Sequence, residues 1–213
     1  MYIPRAFVEE SVPVLHALMK AQPFCSLVTM GASGLVASHI PMVLERDGSS
    51  LGRLRGHLSR ANTQWREFDP EVEALAIFQG ADHYISPNWY PEKEETGEVV
   101  PTWAYAVVHV YGRLRLVEDA DWMMGMLERL TDIHEAGSAA PWRVSDAPAE
   151  YIRGLLKRVI GVELTIGRME GKWKLDQGES ERSRVGVVKG LEAVGTPESL
   201  AMKGLVEKTL VSE

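Results

Sequence analysis

The longest β signal in the chain runs from Val99 to Val117, with Pro101 near its start and Gly112 expected as a bend or bulge. Period-two alternation puts Thr102, Ala104, Ala106, Val108 and Val110 on one face. Trp103, Tyr105, Val107, His109 and Tyr111 fall on the other. The aromatic face can be used in two ways. Trp103 and His109 can flank a ligand or a partner subunit, or the rings can pack against each other across a barrel seam.

A second strand, Leu51 to Leu58, carries Leu54, Gly56 and Leu58 on one side and Arg53, Arg55 and His57 on the other. Three cationic or potentially cationic groups on one face either line a ligand site or meet solvent. The strand delivers Ser59-Arg-Ala-Asn62 to a short helix expected around Thr63 to Phe68. A phosphate is commonly met this way: Ser59 offers a hydroxyl, Arg60 a planar pair of N–H donors, and the backbone around Ala61 to Thr63 the positive end of a helix. The alternative is that Asn62 caps the helix and Arg60 is solvated.

Two further stretches suit a flat heterocycle. His83 to Pro91 mixes aromatic rings with polar groups, among them Ser86, and fits either stacking on such a ring or a dimer interface. In Glu170 to Gly178, Lys172, Lys174 and Gln177 can reach phosphate or the carbonyl groups of such a ring with Trp173 packed over them, or the segment is an exposed turn. Pro91 to Glu98 reads as an acidic, solvated loop.

The remaining elements are framing. Val12, Leu15, His16 and Met19 recur at helical spacing, which makes His16 a packed, hydrogen-bonded residue. Phe24 to Met30 and Leu35 to Leu44 form a hairpin in which Ser38 and His39 face opposite ways, and Asp47 to Ser50 is a second turn. A helix from Asp119 or Asp121 to Gly137 buries Met123, Met126, Leu127, Leu130 and Ile133; another after Pro148 turns Ile152, Leu155, Leu156 and Val159 inward. Val162, Leu164 and Ile166 lie on a closing strand, and helices follow over 181–192 and from Thr196 to Leu210.

With 213 residues, 45% of them hydrophobic, the chain can bury one large core. Its apolar runs fall short of a membrane span, and Pro4, Arg5, Glu9 and Glu10 stand where a signal peptide needs an apolar run, so a cytoplasmic protein is expected. The single cysteine, Cys25, is read as a buried thiol. The six histidines lack metal-ligand spacing, and no metal site is expected. A net charge of −7 disfavours unspecific nucleic-acid binding.

Met1-Tyr-Ile-Pro-Arg5, Gly34 to Pro41, Gly56-His-Leu-Ser-Arg-Ala-Asn62, Tyr84-Ile-Ser-Pro-Asn-Trp-Tyr-Pro91, Val100-Pro-Thr-Trp103, Val108-His-Val-Tyr-Gly112 and Glu170-Gly-Lys-Trp-Lys-Leu175 occur in one order. In that order they resemble the PaiB family, described as FMN-binding negative transcriptional regulators. The resemblance implies an α+β, mainly β fold: an FMN-binding split β-barrel, pyridoxamine-phosphate-oxidase-like, with peripheral helices. It spans residues 1–192 as a single domain, with inserted helices at about 120–160, and leaves 193–213 as a helical extension. It also implies FMN held between the subunits of a homodimer, and it makes His57, Ser59, Arg60, Asn62, Ser86, Trp103, His109, Lys172, Trp173, Lys174 and Gln177 the expected cofactor-binding residues. Two positions depart from the family: Ala104 stands where Asn is usual, and Glu179 where Arg is usual.

The expected function is therefore a flavin-dependent redox or sensing protein with no catalytic residue assigned. The alternatives are a repressor that contacts DNA directly, through a patch of Arg182, Arg184 and Lys189, or a barrel that has exchanged FMN for another planar ligand such as haem.

Overall fold

The computed structural model describes residues 1–46, 48 and 51–211. In chain order the strands and helices are β1 (Val8–Glu9), α1 (Val12–Ala21), β2 (Phe24–Gly31), β3 (Gly34–Pro41), β4 (Val43–Glu45), β5 (Arg53–Ser59) and α2 (Gln64–Glu67). Then come β6 (Ala74–Ile85), α3 (Glu92–Glu95), β7 (Thr102–Val117), α4 (Ala120–Glu135), α5 (Ala149–Leu156), β8 (Val159–Lys174), α6 (Glu181–Val194) and α7 (Pro197–Val211). The strands make one eight-stranded sheet in the order β3-β2-β6-β7-β8-β5-β4, with β1 added on β8. The pairs β2–β3, β2–β6, β4–β5, β5–β8 and β1–β8 are antiparallel.

The hairpin expected near the N-terminus is β2–β3, turned between Gly31 and Gly34, with Gly34 at a φ of 99° that a residue with a Cβ rarely adopts. Its second strand stops at Pro41, and β4 resumes at Val43. Between them the Met42 N–H donates to the carbonyl of Pro23 instead of to the ladder. Of the turn expected at Asp47 to Ser50, Asp47, Ser49 and Ser50 lie outside the described residues. Gly112 is buried within the 16-residue β7, where a Cβ would collide with the backbone carbonyl of Thr165.

Three other expectations are corrected. The closing strand continues through Lys174, because β1 pairs with its end at Val8↔Lys172 and Glu9↔Gly171. In α4, capped by Asp119 through the Trp122 N–H at 2.6 Å, Met123 and Met126 are buried but Ile133 is 41% exposed. No residue of α5 is buried, and Leu155 faces solvent. The acidic stretch after Pro91 contains α3, whose Glu92 accepts hydrogen bonds from the hydroxyls of Ser183 and Ser180. These hydroxyls, Ser183 first, help hold its carboxyl at about 2.

The chain divides into two compact units: Met1–Leu15, Gln79–Val108 and the segment from Glu170 onward make the first; His16–Phe78 and His109–Met169 make the second. The first is built on Ile85, Tyr90, Ala104, Leu175, Val187, Leu191, Met202 and Val206, so α6 and α7 both contribute to one core. Gly186 and Gly190 sit one turn apart on α6, and Trp89 lies against them. A Cβ at Gly190 would fall inside the Trp89 ring, so only glycine admits this approach. The second unit buries Leu27, Ala76, Phe78, Val110, Ile160, Val162 and Leu164, and its His16 is packed with Nε2 3.0 Å from the Leu51 carbonyl.

Candidate functional site

In the second unit β5 alternates as its sequence requires. Leu54, Gly56 and Leu58 are buried, while Arg53, Arg55 and His57 are half-buried on the other face. That face is gathered around one buried carboxylate. Glu163 of β8, 2% exposed, accepts from Arg55 Nε at 2.8 Å and from Arg115 Nε at 2.8 Å, with Arg53 Nη1 3.6 Å away. Burial alone would raise the Glu163 carboxyl, but the hydrogen bonds and charges of Arg55 and Arg115 together outweigh it and hold the group below its ordinary value. Arg55 also pairs with Glu45 at 2.7 Å and lies 5.1 Å from the Trp122 ring centroid. The two arginines of this face are thus tied into an internal ion-pair network. His57 lies beside them with its Nδ1 buried and without a hydrogen-bond partner among the described residues, and burial lowers its pKa, which favours the neutral ring.

The Ser59 to Asn62 stretch differs from the expected phosphate cradle. The Ala61 N–H donates to Ser59 Oγ at 3.2 Å, the Asn62 N–H to the Ser59 carbonyl at 3.0 Å and the Arg60 N–H to the Arg158 carbonyl at 2.8 Å. Asn62 spans two neighbours, its Nδ2 donating to Ser38 Oγ and its Oδ1 accepting from the Gln64 N–H. The helix that follows has four residues, too few peptide dipoles to sum into an anion site. The Arg60 guanidinium, half-exposed, lies 3.8 Å from the Glu118 carboxylate and 5.7 Å from the Trp65 ring centroid, and the Ser59 hydroxyl, an acceptor in these bonds, can still donate. Gln64, which sequence reading passed over, is buried with Nε2 within 3.2 Å of the Leu27 and Val36 carbonyls and of Thr29 Oγ1, joining α2 to the hairpin. His109 is half-buried with its Nδ1 3.5 Å from the Tyr111 hydroxyl, and the Arg168 guanidinium stacks 3.4 Å from the Tyr111 ring centroid.

The first unit holds the other expected residues. Trp103 is 55% exposed and Tyr84 43% exposed; their rings meet edge to face at 6.2 Å. The Lys174 ammonium donates to Thr102 Oγ1 and to the Trp103 carbonyl, and the Lys172 ammonium lies 5.1 Å from the Tyr105 ring and donates to the Tyr2 carbonyl at 3.3 Å. Aromatic faces and two ammonium groups therefore share one surface of this unit. Tyr2 was not recognised as part of it, since only the pairing of β1 with β8 brings the chain start to Lys172.

Ser86, Trp173 and Gln177 serve local structure. Ser86 Oγ accepts from the Asn88 N–H and caps the turn Pro87–Trp89. Gln177 accepts from the Leu175 N–H at 2.7 Å and donates to the Trp173 carbonyl at 2.6 Å, and Trp173 packs inward on the core rather than over the lysines. Ala104 is fully buried in that core. Of the basic residues weighed for direct DNA contact, Arg182 is paired with Glu95 at 2.8 Å, and Arg184 is buried with Nη1 on the Thr209 carbonyl.

A mainly antiparallel sheet with helices around it is the architecture of the FMN-binding split barrels. The same fold occurs in the solved FAD and heme binding protein of Mycobacterium smegmatis, with a TM-score of 0.56, 19% identity, and coverage of 78% of this chain and 73% of that one. Within that class, the profile of the family described as "Putative FMN-binding domain" matches residues 1–168, and the chain belongs to this family, that of PaiB. It is 33% identical to an uncharacterised protein of Emericella nidulans, over 98% of this chain and 97% of the relative. It is 27% identical to the protease synthase and sporulation protein PAI 2 of Bacillus subtilis, over 99% and 98%. Among the described residues no helix is long and apolar enough to cross a membrane.

Proposed function

We propose that this protein binds FMN as a homodimer and uses it as a redox or sensing group. The observation that carries the reading is the surface of the first unit on which Trp103 and Tyr84 expose their rings while Lys172 and Lys174 hold positive charge beside them. An exposed aromatic pair of this kind is costly in water unless a flat ligand or another subunit covers it. A flavin ring fits the chemistry of the site: its faces stack on indole or phenol, and its rim oxygens accept from ammonium groups. Each lysine ammonium has three donors, so Lys174, with two acceptors in the chain, keeps one for a ligand.

The bound flavin supplies the electron-accepting ring, and the chain supplies position and electrostatics. Trp103 orients the ring by stacking, and Lys172 and Lys174 favour added negative charge on it. The regulatory role follows from the redox or ligand state of this site rather than from direct DNA contact, because Arg182 and Arg184 are already engaged within the chain.

Titration with FMN tests the reading. The flavin band shifts and its fluorescence falls on binding, and Trp103→Ala removes most of the quenching. Light scattering at micromolar concentration gives twice the 23.7 kDa chain mass. A free-FMN spectrum at ligand concentrations near millimolar, or a monomer, refutes it.

A further inference from the structure

Away from the aromatic surface, within the second unit, a groove of about 380 Å³ runs between the end of α1, strand β4 and the last turns of α4. Its floor is apolar. Met42 and Val43 are buried beneath it, and Ile133 on α4 leaves 41% of its surface to water. Its rim is cationic, carrying Lys20, Arg46 and Arg129 with His134, and no acidic residue lines it.

The cations are left over for a local reason. Along β4 the side chain of Glu45 turns to the opposite face and pairs with Arg55, so Arg46 gains nothing from its neighbour. On α4 the acidic Glu128 and Asp132 line a different hollow, beside Trp142 and Arg143. Lys20, Arg46 and Arg129 make no hydrogen bond or ion pair among the described residues, although the chain as a whole carries a charge of −7. The potential they create is felt nearby: after burial, the charges of Arg46 and Lys20 further depress the buried His16 ring. Three cations without a counter-charge among the described residues, gathered at the mouth of an apolar groove in an acidic protein, are complementary to an anion with an apolar tail.

We propose that this groove binds a small amphipathic monoanion of the alkyl carboxylate class. The carboxylate sits among Arg129, Arg46 and Lys20, and the chain lies along Val43, Met42 and Ile133. Arginine pairs with a carboxylate through two parallel N–H donors, and the volume lies at the lower end of the range for small-molecule sites.

Calorimetric titration of the intact protein with dodecanoate, below its micelle concentration, tests the assignment. Saturable binding of one dodecanoate per chain is expected. Dodecyltrimethylammonium, with the same tail and opposite charge, and acetate, with the head but no tail, should not saturate. Arg129→Ala should weaken dodecanoate about threefold to fivefold, the scale of one solvent-exposed ion pair, and the Arg46→Ala/Arg129→Ala double variant about tenfold or more. Both substitutions are at exposed side chains, and an unchanged circular dichroism melt shows the variants folded. Equal binding of the cationic surfactant, binding of acetate as tight as dodecanoate, or affinity unmoved by the double variant overturns the assignment. So does association with anionic vesicles without saturable binding of the monomeric carboxylate, which would make the groove a membrane contact.

Discussion

Glu163 is the buried acid shared by arginines of two strands, and replacing it shows how much of that face is structural. Glu163→Ala takes from Arg115 and Arg53 the buried carboxylate that now lies 2.8–3.6 Å away, and leaves Arg55 with Glu45 at 2.7 Å. Breaking a buried ion pair on one side typically costs about 3–5 kcal/mol. The lower end applies, because the Arg115 side chain is 56% exposed and can hydrate, although Arg55 at 20% cannot fully do so. A loss of about 3 kcal/mol lowers the melting temperature of a chain of this size by about 6–12 °C. Urea or thermal melts at pH 7 measure it. The pH dependence has a defined sign. The folded carboxyl lies below its ordinary value of 4.5, so the network's contribution is present above that value and is lost as pH falls through the lower, folded one. The gap between wild type and Glu163→Gln should therefore close in acid. A destabilisation under about 1 kcal/mol at pH 7, or a gap that widens in acid, refutes the assignment of Glu163 as the counter-charge.

Gly190→Val should cost about 2–3 kcal/mol by driving a side chain into Trp89, whereas Gly125→Ala, with open space at its Cβ in α4, should gain about 0.5–1 kcal/mol. Denaturant melts that rank these two the other way would contradict the packing of α6. Cys25 is 1% exposed and its thiol is pushed up to about 12, chiefly by burial, so an aromatic disulfide reagent at pH 8 should modify it only after denaturant is added. Rapid labelling of the native protein would show that β2 opens.

Local patterns carried the strands and most helices. The alternation in β5 and β7, the buried thiol at Cys25, the packed His16 and the Asp119 cap all depend on neighbours a few residues away, and each stands as the pattern required. The ordered motifs carried the family and, through it, the split-barrel fold. Composition could not say which polar groups were free. The cationic face of β5 read equally as a ligand wall or a solvent face, because its answer lay in Glu163, 108 positions from Arg55 and brought opposite it by the β5–β8 register Arg55↔Glu163. In the same way Arg182 and Arg184 are engaged by Glu95 from α3 and the Thr209 carbonyl from α7.

The sequence by itself determined the periodicities, and hence which side chains share a face, since that follows from backbone geometry alone. Only the tertiary structure decided which of those faces is neutralised, covered or left open. A charge is satisfied by whatever the fold brings within a few ångströms, and that distance is set by strand register and helix packing, not by position along the chain. Trp103 and Tyr84 stay exposed and Arg129 has no partner among the described residues for this reason, and these are the places where a ligand is proposed.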